Sequence, residues 1–96
     1  MDSTGGIMIN PQVFPRELAR TVIMHAITHN QRTGQYLFNM LQEPIRNEVT
    51  GKDWDPFEKE MSQYQIEKWF EDHIVFGSDG KMIALFDESG FLWERK

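Results

Sequence analysis

The sequence predicts an α+β fold in which helices precede a small antiparallel sheet, all within one domain. Apolar residues recur at helical spacing as far as about residue 72, and short apolar runs replace that period from residue 74 onward. Clusters of Gly, Ser, Asp and Glu separate the short runs at lengths typical of β-hairpins. Helices first and strands afterwards indicate an α+β domain whose helices cover one face of the sheet, and 96 residues suit a single domain.

Two helices are expected before the first strong break. The first spans residues 15–29, because Pro15 suits a first helical turn and the apolar residues after it form one wide stripe. The second spans residues 34–42, with Thr33 as its N-cap. The side chains of this second helix are apolar nearly all round, which indicates that it is buried.

Proline and glycine then mark the limits of a third, short helix. Pro44 lacks a backbone N–H and cannot sit inside a helix, so we expect a break there. The third helix is predicted over residues 44–50. Gly51 suits the position that follows it, because a residue there commonly adopts a positive φ.

The fourth helix has two candidate beginnings. Residues 55–58, Asp-Pro-Phe-Glu, have the form of an N-terminal capping box and predict a helix over residues 56–72. Residues 62–65 repeat the pattern, so this region is either two short helices or one bent helix.

Three strands are expected after the helices. They lie at about residues 74–76, 81–86 and 91–95, with turns of hairpin length between them. We therefore predict a three-stranded antiparallel meander.

Composition and the start of the chain bear on where the protein acts. There is no cysteine, which excludes disulfides, thiolate metal sites and a Cys nucleophile and fits a reducing cytosol. No apolar run approaches the length of a membrane span. Residues 1–9 lack the basic and apolar parts of a secretory signal, so we expect a flexible tail, in which residues 7–9 could add a short strand or pack on the core. The expectation is a cytoplasmic protein with no membrane contact.

The net charge of −5 is concentrated in residues 53–72. This segment holds seven acids and two lysines, which accounts for the whole net charge. Such an acidic face disfavours phosphate backbones and anionic lipids, whose binding depends on Lys and Arg. It suits a basic partner surface, or alternatively it is a solvated helix face that keeps the protein dissolved.

His25 and His29 are weak candidates for metal ligands. Their spacing of four places both imidazoles on one face of a helix, as in helical zinc sites, but a metalloprotease motif needs Glu where this chain has Ala26. A third ligand could come from His73 or an acid, and no pattern fixes it. Alternatively, His29 stabilises the C-terminus of the helix. We therefore assign no metal and no cofactor.

The acidic, aromatic turn at Asp53, Trp54 and Asp55 is the leading candidate for binding a partner. Trp is enriched in binding hot spots because a large rigid surface is desolvated there at low entropic cost. Alternatively, Trp54 folds back onto the second helix as a local lid. Asn39 is expected to be a buried amide that needs a hydrogen-bond partner, so it either belongs to the site or bonds the backbone at the Pro44 break.

No set of residues predicts an enzyme. The paired carboxylates lie on a turn or a helix end rather than across a cleft, and the hydroxyls lack a nearby base. The alternative function is a nucleic-acid-binding module, in which sheet aromatics stack bases beside a sparse arginine surface, although these aromatics are also expected to serve as core. A small metal-assisted enzyme using His25 and His29 ranks third. The residues of the nucleic-acid-binding alternative are the aromatics Phe76, Phe86, Phe91 and Trp93 and the arginines Arg16, Arg20, Arg32 and Arg46.

Three segments resemble a pattern of small uncharacterised bacterial and phage proteins. They are T-G-Q-Y-L-F-N-M-L, G-K-D-W-D-P-F and I-E-K-W-F, and the pattern reads G-Q-x-L-x-N-x-L, a D-P-F turn and a helix rich in Trp and Phe. The resemblance covers residues 32–70, carries no known activity and implies a stand-alone intracellular protein. We expect a non-enzymatic accessory factor of bacterial or phage origin that binds another protein, with a homodimer through the outer strand of the meander as a variant.

Overall fold

A computed structural model describes residues 13–96 of the chain. Four helices lead into a three-stranded antiparallel sheet, which confirms the predicted α+β class. The predictions of a flexible tail over residues 1–9 and of a short strand at residues 7–9 lie outside the described residues. The elements are α1 (Val13–Thr28), α2 (Thr33–Met40), α3 (Glu43–Val49), α4 (Gln63–His73), β1 (Ile74–Phe76), β2 (Met82–Asp87) and β3 (Gly90–Glu94).

Helix α1 ends where the sequence predicts and turns the chain back on itself. Asn30 follows it with a positive φ of 59°. The N–H of Asn30 donates to the carbonyl of Ile27 at 3.1 Å, and the N–H of Gln31 donates to the carbonyl of Ala26 at 2.9 Å. This pair of bonds is a Schellman motif, which satisfies the last carbonyls of the helix and reverses the chain.

Helix α2 begins at Thr33, so the prediction that Thr33 is its N-cap is wrong. Arg32 holds the cap position and makes no side-chain cap bond. The hydroxyl of Thr33 is buried and donates to the carbonyl of Met61 at 2.7 Å, while accepting from the N–H of the same residue. Local sequence suggests a cap here, but the hydroxyl satisfies the backbone of a distant segment instead.

The predicted break between α2 and α3 is present but falls earlier than expected: α2 ends at Met40 rather than at residue 42, because Pro44 takes a place in the first turn of α3 and the extended residues are Leu41 and Gln42. Helix α3 accordingly begins one residue earlier than expected. The guanidinium of Arg46 donates to the carbonyl of Leu41 at 2.7 Å, which satisfies the backbone at the break. Gly51 follows α3 with a φ of +85°, as predicted from its place after the helix.

The prediction of a helix over residues 56–72 is wrong in its first half. Residues 53–61 form turns, and α4 begins at Gln63. Its capping box is the second candidate, in which Ser62 Oγ accepts from the N–H of Gln65 and Gln65 Oε1 accepts from the N–H of Ser62. Asp55 instead accepts from the N–H groups of Phe57 (2.9 Å) and Gly51 (3.1 Å), which closes a turn rather than starting a helix.

The 56–61 segment stays non-helical because its backbone docks on the N-terminus of α2. The first N–H groups of a helix have no intrahelical partner, and here the N–H of Gly34 donates to the carbonyl of Lys59 at 2.9 Å. The approach is so close that a Cβ on Gly34 would lie 2.1 Å from the carbonyl oxygen of Pro56 and 2.4 Å from that of Lys59. In a helix over 56–72, the carbonyl of Lys59 would bond within its own helix and could not reach α2.

The sheet has the order β1-β2-β3 and packs on the helices with one face. Ile74 pairs with Leu85, and Leu85 pairs with Trp93, so these three side chains share the inner face. They join a core to which every helix contributes. The buried members of this core are Ala19, Val22, Leu37, Leu41, Ile45, Val49, Ile66, Trp69, Phe70, Ile74 and Leu85.

Replacing Gly34 tests the docking of the 56–61 segment. At an ordinary helix position, Gly→Ala stabilises a protein by about 0.5–1 kcal/mol. Here the added methyl overlaps two carbonyl oxygens, so we expect Gly34→Ala to lower the free energy of unfolding by about 1–3 kcal/mol. Urea denaturation followed by circular dichroism measures this free energy.

The matched control is Asn39→Ala on the same helix. Asn39 is exposed, so the control should change the free energy of unfolding by no more than about 0.5 kcal/mol. Unchanged or increased stability of Gly34→Ala would contradict the close contact.

Candidate partner-binding surface

The Trp54 side chain packs against α4, and the predicted alternative in which it covers α2 as a local lid is wrong. Its ring stacks on the imidazole of His73, with centroids 3.9 Å apart and planes 15° from parallel. The ring of Trp69 lies 6.0 Å away, and its indole N–H donates to the carbonyl of Trp54 at 2.8 Å. The half-buried Trp54 therefore fastens the 50–55 turn to α4, and most of its surface serves the fold.

His73 continues this contact towards the sheet. Its Nδ1 lies 3.1 Å from the carbonyl oxygen of Phe86 in β2. His25 and His29 lie elsewhere, beside Tyr36. The structure therefore does not bring the three histidines together, and residues 13–96 contain no group of three or more His, Cys, Asp or Glu placed to hold a metal ion.

One side of the acidic turn borders the β2–β3 hairpin. Ser89 donates to Asp87 Oδ1 from its hydroxyl at 2.6 Å and from its backbone N–H at 2.8 Å. These two hydrogen bonds, the hydroxyl first, hold the pKa of Asp87 below its ordinary value of 3.8, with smaller contributions from Lys52 and Trp54. A shallow cavity of about 390 Å³ lies here, lined by Lys52, Asp53, Trp54, Asp87, Glu88 and Ser89.

The other side of the turn borders α2 and forms a larger open groove of about 600 Å³. The rings of Phe38 and Phe57 meet edge to face there, with centroids 5.3 Å apart. The guanidinium of Arg32 lies 5.9 Å from the centroid of the Phe57 ring and 3.6 Å from Glu58 Oε1. The lining residues are Phe38, Thr50, Lys52, Asp55, Phe57 and Glu58.

Three of the four predicted site residues therefore divide between the two sides of the turn, and Asn39 lines neither cavity. Asp55 lines the groove, while Trp54 lines the shallow cavity on the other side, together with Asp53. The prediction of Asn39 as a buried amide is wrong, because Asn39 is exposed and Arg46 makes the hydrogen bond at the break. The period of α2 alone could not separate its exposed positions from its buried ones.

Sequence reasoning missed Phe57 and Phe38 as surface residues. Phe57 was assigned to a capping box and Phe38 to a buried helix, yet both are half-buried and line the groove. The sequence did contain one indication of this surface: in residues 53–58, Asp-Trp-Asp-Pro-Phe-Glu, an aromatic and an acid lie on each side of Pro56.

No family model matches the chain, and neither a curated protein nor a solved structure matches it. Within residues 13–96, every helix is too short or too polar to cross a membrane.

The residues of the nucleic-acid alternative are split by the fold. The ring of Phe76 lies on the inner face, 5.9 Å from Phe70, and Trp93 also faces the core, whereas Phe91 is 62% exposed. The arginines are largely engaged with their own chain. Arg16 pairs with Glu67, Arg32 with Glu58, and Arg46 donates to a backbone carbonyl.

The Asp87–Ser89 contact predicts how stability changes in acid. A carboxyl whose pKa is lowered on folding stabilises the protein above its unfolded pKa of about 3.8, and this contribution is lost as the pH falls through the folded pKa. Ser89→Ala removes the hydroxyl that donates at 2.6 Å, so we expect the pKa of Asp87 to rise towards its ordinary value. The loss of stability below about pH 4 should become shallower.

Carboxyl NMR measures the pKa of Asp87 directly, and thermal unfolding between about pH 2 and 5 measures the stability. Ser78→Ala, in the exposed β1–β2 turn, is the matched control. Equal pKa values for Asp87 in the wild type and in Ser89→Ala would show that the hydroxyl bond does not hold this carboxylate.

Proposed function

We propose that the protein is a non-enzymatic binding protein that recognises a basic segment of another protein. The observation that supports this most strongly is the open groove between α2 and the 55–58 turn. Its apolar wall is formed by Phe38 and Phe57, and its charged lining residues are Asp55, Glu58 and Lys52. A groove of this kind takes an apolar anchor in the middle and opposite charges around it.

The net charge of the protein favours a basic partner. Residues 53–72 carry the whole net charge of −5. Within this segment, Glu58 lines the groove and Glu60 is exposed, whereas Asp53 lies on the other side of the turn. An excess of one charge sign on a small protein steers partners of the opposite sign and disfavours those of the same sign.

The groove is held in shape before any partner arrives. Asp55 bonds the N–H groups of Gly51 and Phe57, which fixes the turn on which the Phe57 ring stands. The docking of Lys59 on Gly34 fixes the same segment against α2. A preformed site loses little conformational entropy on binding, so more of the contact energy remains as affinity.

The two groove phenylalanines supply the apolar anchor point. Both rings are half-buried, so each still offers a face or an edge to a partner side chain. Asn39 follows Phe38 in α2 and is exposed, but it does not line the groove. The partner segment that fits this surface carries one large apolar side chain flanked by Lys or Arg.

A binding role is also supported by how the polar groups of the turn are used. The carboxylate of Asp55 is engaged by two backbone N–H groups, and the imidazole of His73 is stacked and bonded to a carbonyl. A general acid or base must be free to exchange a proton with a substrate, and both groups are instead held in these contacts within the fold. In keeping with the resemblance over residues 32–70, we place the protein in the bacterial or phage-infected cytoplasm as an accessory factor.

Selection from a random peptide library displayed on phage tests the proposal. We expect the selected peptides to share an aromatic or large aliphatic residue flanked by Lys or Arg. Glu58→Arg, which reverses one charge in the lining of the groove, should weaken their binding by about tenfold, because it removes an attraction and adds a repulsion. Fluorescence anisotropy with one selected peptide measures the affinity.

Glu17→Arg on the exposed surface of α1 is the matched control, since it changes the net charge equally and should leave the affinity nearly unchanged. Peptides without a basic consensus, or equal weakening by both variants, would contradict a specific site at the groove. Binding that survives Phe57→Ala in a folded variant would also contradict it.

A further inference from the structure

His25, His29 and Tyr36 form an exposed cluster between the end of α1 and the start of α2. The Nδ1 of His25 lies 2.9 Å from the phenolic oxygen of Tyr36. The ring of His29 stacks on that of Tyr36, with planes 14° from parallel and centroids 5.9 Å apart. The two imidazole centroids are 6.4 Å apart.

The backbone places both imidazoles on the same side. The N–H of His29 donates to the carbonyl of His25 at 2.9 Å, so the two residues remain one helical turn apart. The Schellman motif at Asn30 then reverses the chain, and α2 brings Tyr36 back against both histidines. The cluster is therefore built by a defined turn rather than by chance proximity of mobile side chains.

The hydrogen bond to Tyr36 is compatible with metal binding by His25 in one of the two imidazole tautomers. When Nδ1 carries the proton, it donates to the Tyr36 oxygen, and Nε2 then holds the free lone pair that a metal ion needs. Metal-binding histidines almost always donate their second ring N–H to such a partner, which fixes the tautomer and the ring orientation. The ring of His29 lies nearly parallel to that of Tyr36, a contact that favours one ring orientation but does not set the tautomer.

We propose that His25 and His29 bind a divalent transition-metal ion such as Zn²⁺ or Cu²⁺, with Tyr36 as a positioning residue. One nitrogen of each imidazole coordinates the ion, and water fills the other positions because both histidines are exposed. Imidazole pairs suit Zn²⁺ and Cu²⁺, whereas Ca²⁺ and Mg²⁺ prefer oxygen ligands. With two protein ligands, the site exchanges its metal readily and is not needed for folding.

This inference is independent of the proposed groove, which lies beside Phe57. A purely structural role for the cluster would require only the Tyr36 hydrogen bond and the stacking. The two roles therefore differ in one observable, the response of the imidazoles to a transition metal.

The test uses the full chain without an affinity tag, titrated with Zn²⁺ near neutral pH. We expect saturable binding of one ion, seen by calorimetry, and shifted ring resonances of His25 and His29 by NMR, with those of His73 unchanged. His29→Gln keeps the size of the side chain and should abolish the saturable binding. Tyr36→Phe should weaken it by about 10-fold or more, as expected when a metal-binding imidazole loses its hydrogen-bond partner, without unfolding the protein.

Three results would overturn the proposal. The first is the absence of any shift at micromolar Zn²⁺. The second is undiminished binding in the His25→Gln, His29→Gln double variant, which would place the metal elsewhere in the chain. The third is an equal response to Ca²⁺, which would show binding to oxygen ligands. Full affinity in a folded Tyr36→Phe variant would remove the positioning role of Tyr36.

Discussion

The structure depends on the docking of the 56–61 backbone against the first turn of α2. Gly34 donates to the carbonyl of Lys59, and the hydroxyl of Thr33 bonds both the N–H and the carbonyl of Met61. These contacts join segments about 25 residues apart in the chain. Each such bond contributes about 1 kcal/mol net, but leaving any of these buried groups without a partner would cost about 1–3 kcal/mol. The fold with all of these hydrogen bonds formed is therefore more stable than one in which only some of them are formed.

This docking also builds the candidate binding surface. Because residues 56–61 cannot coil into a helix while they bond α2, the half-buried ring of Phe57 lies against Phe38 in α2. The other side of that turn is fixed by Trp54, which stacks on His73 in α4. One local conformation thus serves both the packing of the helices and the groove. A substitution that loosens the docking, such as Gly34→Ala, is expected to lower both stability and binding. Glu58 takes no part in the hydrogen bonds of this docking, so its substitution tests binding separately from stability.

The parts of the fold that could be predicted from the sequence are those fixed by neighbouring residues. The break before Pro44, the positive φ of Gly51 and the capping box at Ser62 all follow from local backbone chemistry. The limits of the three strands follow from short apolar runs between turn-forming clusters. The box at Asp55 has the same local form as the one at Ser62, yet it closes a turn. Its local preference is outweighed by hydrogen bonds to α2, which no window of sequence contains.

The candidate sites were predictable only in part, for the same reason. The turn at residues 53–55 was recognised as unusual, but the direction of the Trp54 ring depends on where α4 begins. The pairing of His25 with His29 was visible as a spacing of four. The contribution of Tyr36 depends on the angle between α1 and α2, which the turn at Asn30 sets through its backbone.

Amide hydrogen exchange at Gly34 and Met61 tests the central claim most directly. If the 56–61 backbone is docked as described, both amides exchange only when the protein unfolds globally, although Met61 lies outside any helix. Their protection should then match that of the buried amides of α4. Exchange of the Met61 amide at the rate of an exposed turn, while α4 remains protected, would show that the segment opens independently and would contradict the account.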